Sequence, residues 1–157
     1  MTEFSDKQKD GYSRAAVLCS RAEKSPASIQ QKLQQWGLDD RETDSVMQRL
    51  FEEKYLDEER FARSYVRDKF RFNQWGRVKI AYHLKAERIS SVVIQSALEE
   101  IIDDDYRETI RKLMQEKIRK TKAANSYDLR AKVFRFAQSR GFESDLIFSI
   151  FDQLVND

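Results

Sequence analysis

Three consecutive carboxylates (Asp103, Asp104 and Asp105), one histidine (His83) and one cysteine (Cys19) are the groups in this 157-residue chain best suited to metal or nucleophilic chemistry. Their spacing argues against that chemistry. Adjacent carboxylates point in different directions and lack the spaced ligands and glycine of a calcium loop, so a solvated helix start is the expectation. A single histidine excludes a histidine-based metal cluster, and a Ser-His-Asp arrangement would have to use a residue in mid-helix beside Leu84. Cys19 has no partner for an internal disulfide and sits among Ala15, Ala16, Leu18 and Ala22, the setting of a small buried hydrophobe. The chain has neither type of phosphate-cradling glycine loop. The expectation is a protein without catalytic residues, bound metal or cofactor.

The elements that would position any other function repeat three times. Ile29 and Leu33 lead to a break at Gly37 and then to the doublets Val46/Met47 and Leu50/Phe51. The same pattern returns 51 residues on, at Ile80, Leu84, Arg88, Ala97/Leu98 and Ile101/Ile102. It returns again after 53 more, at Val133, Ala137, Gly141, Ile150/Phe151 and Leu154/Val155. Residues four apart share one face of an α-helix, so each copy is a pair of amphipathic helices around a tight turn, and so narrow a face needs a partner to bury it. The fold class expected is all-α, a row of three-helix modules with a frayed stretch at 1–10 and repeats at 11–56, 57–103 and 104–157.

Composition and punctuation agree. Four glycines, one proline and 36% charged residues suit helix faces rather than sheets. The first helix is expected over about 12–23. Ser25-Pro26 then starts the second, which ends at Gly37, and Asp39 with Glu42 has capping-box spacing for the third. Asp57 opens the next, buried through Phe61, Ala62, Tyr65, Val66 and Phe70. Ser90 can cap a later helix, a long one is expected over about 105–120, and Ser126 with Asp128 suits the start of another. Leu33, Leu50, Phe61, Leu84, Leu98, Ile101, Ile150 and Leu154 should fill separate small cores. No apolar run approaches a membrane span of roughly 20 residues and the first eleven residues are polar, so a cytoplasmic location is expected.

Net charge is only +2, but it is segregated. Residues 39–59 hold nine acids to three bases and 60–88 nine bases to two acids; 99–108 hold six acids to one base and 111–140 ten bases to two acids. Stacked modules would line up two basic surfaces, the footprint expected for nucleic acid or an acidic protein partner. The candidate contacts are Arg67, Arg71, Arg77 and Lys79 in the middle module and Arg119, Lys120, Lys132 and Arg135 in the third.

Across the first junction the chain reads Leu50-Phe51-Glu52-Glu53-Lys54-Tyr55-Leu56-Asp57-Glu58-Glu59-Arg60-Phe61-Ala62. This resembles the signature of the RecX family of recombination regulators, in which a leucine-ending helix passes through a Tyr-Leu/Ile step into Asp-acidic-x-Arg-Phe-Ala. Arg21, Ser25, Gly76, Lys79-Ile80 and Leu84 resemble its flanks. Two positions depart from the pattern: Lys54 stands where the family usually has glycine, and Glu87-Arg88-Ile89 replaces Lys-Gly-Ile. Arg88 lacks glycine's tolerance for positive φ, so a different cap or a short extra turn is expected there.

The resemblance implies an elongated, curved array of three tandem three-helix repeats, a monomer without a catalytic site. Such a protein binds the RecA–DNA filament along its groove and inhibits the recombinase, limiting strand exchange, ATPase and coprotease activities. The alternative is a direct DNA-binding protein that uses its two-helix units as helix-turn-helix readers, with transcriptional control as the outcome. Within the signature, Arg60 is open to pairing with Asp57, an (i, i+3) neighbour. Trp75 is open to packing between modules or to stacking on a base.

Overall fold

Most helices in this chain start where a short polar side chain accepts from the first free backbone N–H groups. The computed structural model describes residues 3–156 and, among them, nine α-helices and no strand. They are α1 (Asp6–Arg21), α2 (Pro26–Gln35), α3 (Asp40–Glu52), α4 (Glu58–Asn73), α5 (Arg77–Ala86), α6 (Ser91–Leu98), α7 (Asp103–Lys120), α8 (Ser126–Ser139) and α9 (Ser144–Asn156). Ser25, Asp39, Asp57 and Ser90 each cap the helix that follows, and Asp39 with Glu42 forms the capping box expected from their spacing. Two starts differ from expectation. Ser5 and Gln8 form a second capping box, so α1 begins at Asp6 and not near Tyr12, and residues 6–10 are helical where fraying was expected. Met1 and Thr2 lie outside the described residues. Asn125, rather than Ser126, caps α8 by accepting from the Asp128 N–H.

The repeat arithmetic reappears as one backbone motif used three times. Gly37, Arg88 and Gly141 have φ of 97°, 62° and 90°. After each, the next residue donates back to a buried core position: Leu38 to the Leu33 carbonyl, Ile89 to Leu84 and Phe142 to Ala137. These are Schellman closures, each with a buried apolar residue just beyond the left-handed one. Arg88 therefore uses the same cap as the glycines, not the different ending expected, at a cost of about 1–2 kcal/mol for its Cβ.

Helices α1 to α3, α4 to α6 and α7 to α9 pack as triplets. The cores are not three. Ala15, Ile29, Leu33, Leu38, Val46, Leu50 and Leu56 form one by themselves, whereas the second and third triplets share a single cluster through Tyr106, Phe142 and their neighbours. Leu33, Leu50, Leu84, Ile101 and Ile150 are buried as expected, while Phe61, Leu98 and Leu154 are only partly so. The chain exposes 10037 Å², against about 8,300 Å² for a compact monomer of its mass. A row of small units exposes more surface than one ball, and the array is elongated.

Candidate functional site

The junction of the second and third triplets is where backbone, aromatic rings and cations meet. The Gly76 N–H donates to the Arg140 carbonyl at 2.7 Å and the Val78 N–H to the Gly141 carbonyl at 3.0 Å. A Cβ at Gly76 would lie 2.2 Å from the Gly141 oxygen, and one at Gly141 would lie 2.2 Å from the Lys79 Cβ. Only two glycines let the start of α5 come so close to the end of α8. Buried Tyr106 then receives the Arg77 N–H on its hydroxyl at 2.9 Å and donates that hydroxyl to the Glu143 carboxylate. Burial, followed by the hydrogen bond to Glu143, pushes its ionisation well above the usual phenol range.

This junction consumes two of the cations read from the sequence as partner contacts. Arg77 has a side chain only 24% exposed, held at 3.1 Å by Glu143 and 3.3 Å by Asp103 with its guanidinium over the Tyr106 ring. Lys79 donates to the Ser139 carbonyl at 3.4 Å and lies 4.5 Å from the Trp75 ring centre. Four others are tied within their own triplets: Arg67 to Glu100, Arg119 and Lys120 to Glu116, and Lys132 to Asp128. Hydrogen bonds from Arg119 and then Lys120 hold the Glu116 carboxyl down to about 2. Arg71 and Arg135 are exposed, and neither has a carboxylate within ion-pair distance among the described residues.

Three cations that the charge count did not single out complete the basic face. Lys69 sits 4.8 Å from the Trp75 ring centre, Lys117 5.1 Å from that of Phe136, and Arg140 reaches across to the Asn73 carbonyl at 2.9 Å while lying over Phe136. Trp75 also stacks on His83, so its ring is engaged within the chain. Lys69, Lys117 and Arg140 are thus held by aromatic rings and a carbonyl, without an ion-paired carboxylate among the described residues, and their charge remains available to an anionic partner. Lys69 and Arg140 each carried a local signal, four residues after Tyr65 and Phe136. The Lys117 contact depends on how α7 approaches α8.

The first junction is polar. Arg60 does not pair with Asp57, whose carboxylate caps α4 instead; its guanidinium grips Glu23 at 2.6 Å and the carbonyls of Lys54 and Tyr55. Ser25 donates to the Glu87 carboxylate at 2.6 Å. The signature residue Arg60 therefore ties the first triplet to the second, and Asp57 caps the helix that carries it.

Residues 57–98 match the family model described as RecX, second three-helix domain, and residues 103–151 the one described as RecX, third three-helix domain. The chain belongs to the RecX family. The regulatory protein RecX of Clostridium perfringens strain 13 is 31% identical over 136 residues, covering 85% of this chain and 63% of its own length. The chain thus spans under two thirds of that relative. The regulatory protein RecX of Syntrophotalea carbinolica is 26% identical over 146 residues, covering 92% and 95% of the two chains. The crystal structure of RecX from Lactobacillus salivarius superposes with a TM-score of 0.87 over 97% of this chain and 99% of that one, at 19% identity, a likeness of fold. RecX relatives are named as regulators, and no described group of three or more His, Cys, Asp or Glu side chains is placed to hold a metal.

Proposed function

We propose that this chain is a non-enzymatic, cytoplasmic regulator that binds the RecA–DNA filament along its groove as a monomer and inhibits recombinase, ATPase and coprotease activity. The observation that carries this reading is the basic face shared by two RecX-type repeats that glycine contacts lock into one body. A filament is a periodic target, and a row of modules spanning successive subunits gains avidity from individually weak contacts.

The contacts are assigned to the cations that the fold does not spend on itself: Arg71 and Arg135 from the charge pattern, with Lys69 and Lys117. Arg67, Arg119, Lys120 and Lys132 stand on the rim with partners they can exchange. Helix starts favour the filament over base readout. Those of α3, α6 and α9 carry Asp39 and Glu42, the Glu58 carboxylate on the Ser90 N–H, and Glu143. Acidic groups there repel the phosphates that a reading helix must pass.

Steady-state ATPase of RecA on single-stranded DNA tests the proposal. Substoichiometric chain should slow hydrolysis, and the quadruple reversal K69E/R71E/K117E/R135E should weaken this steeply, with binding of the parent falling as salt rises. Rates unchanged at saturating chain would refute it. Reversing Arg77 is not a clean test, because it breaks the junction of the two repeats.

A further inference from the structure

Helix α5 is apolar on two sides. Its core side buries Ile80 and Leu84, yet Val78 and Tyr82, one turn apart on another face, are 55% and 70% exposed and belong to neither core. Lys85 continues that stripe. Together with Ser91 and Gln95 of α6 these residues line a cleft of about 210 Å³, and the adjacent Val92 is 80% exposed. Phe72, Ile102 and Tyr127 are also exposed but fall on other elements. Grouped exposed apolar residues mark an interaction surface, whereas scattered ones are ordinary.

The occupant follows from size and charge. Small-molecule pockets run from roughly 300 to 1,000 Å³, so this cleft suits a single side chain of a larger partner. Nucleic acid is disfavoured, since the stripe has one cation and counterion release needs several. The positive charge on the rim is that of Lys85, which has no carboxylate in ion-pair range among the described residues, whereas the start of α6 is already covered by the Glu58 carboxylate on the Ser90 N–H. We infer that the α5–α6 face docks a protein surface presenting one apolar side chain beside a carboxylate. On the function proposed above, which this inference rests on, that surface belongs to a RecA subunit.

Binding of the full chain to RecA filaments on single-stranded DNA, followed by anisotropy of labelled chain, tests this. V78S/Y82S should weaken binding at least about tenfold, as for loss of a central apolar anchor, with unchanged circular dichroism because both side chains are exposed. Y82F should bind as the parent does, and K85E should bind more weakly and with less salt dependence. A folded V78S/Y82S that binds like the parent overturns the docking face and leaves the proposed function standing. A parent that fails to bind filaments overturns both. A K85E variant with parental affinity overturns the carboxylate partner. Concentration-dependent self-association of the parent that V78S/Y82S abolishes assigns the face to a second copy of the chain and overturns the RecA occupant.

Discussion

Arg88 and Lys54 hold φ of 62° and 64° at helix ends where a Cβ is a burden. Each closes its helix by donating back three residues, to Lys85 and Phe51, and the following residue donates to a buried leucine, Leu84 or Leu50. Replacing either by glycine relieves the left-handed strain but loosens the unfolded chain, so a net gain of about 0.5–1 kcal/mol is expected from each of R88G and K54G, read as a higher urea midpoint at unchanged slope. Tyr12 carries a pH dependence. Burial, then its hydrogen bond to Glu53, raises the phenol from its usual 10.0 to about 12. The folded state prefers the protonated ring, so its contribution is complete below pH 10 and is lost as pH rises toward 12. An ultraviolet phenolate titration of Tyr12→Phe should lack one late-ionising step that the parent shows.

At the scale of elements, the contact between α5 and the α8–α9 turn decides whether the second and third repeats move together. Tyr106→Phe removes a buried hydroxyl that both accepts from Arg77 and donates to Glu143. It leaves a buried N–H and a carboxylate short of a partner, at an expected cost of about 1–3 kcal/mol in chemical denaturation. Gly76→Ala drives a methyl group into the Gly141 carbonyl. Backbone cannot rotate aside as a side chain can, so the overpacking cost of about 1–3 kcal/mol is a lower bound, and loss of the Gly76–Arg140 hydrogen bond should show as faster amide exchange at Gly76.

For the whole molecule, two cores of unequal size meet across a polar junction. Amide exchange near neutral pH should therefore separate α1–α3 from α4–α9, with the six-helix body protected as one unit and the first triplet opening independently. Arg60→Ala should widen the gap by freeing Glu23 and the Lys54 and Tyr55 carbonyls while leaving the larger core intact. A single uniform protection class, unaffected by Arg60→Ala, would mean that the array is one rigid rod. If the first joint is the looser one, the binding proposed above could proceed in stages, each module adding local concentration for the next.

The periodicity of apolar residues and the helix caps determined the all-helical class, the threefold repeat and the position of most helix starts, because both act within a few residues. Ser25-Pro26, the Asp39/Glu42 box, Asp57 and Ser90 were legible for that reason. The start of α1 was missed because its capping box lies before the apolar stripe begins, and the cap at Arg88 because tertiary burial of Ile89 outweighs a local strain. The fates of the cations were legible only in part. Short pairs such as Arg119 with Glu116 follow from spacing along one helix, but Arg77 with Glu143 and Arg140 with Asn73 join residues 66 and 67 apart. Tertiary structure alone decided which charges are spent inside the fold and that repeats two and three share one core. Charge along a chain is additive, whereas pairing requires approach within about 4 Å, which here depends on two glycines meeting between α5 and α8.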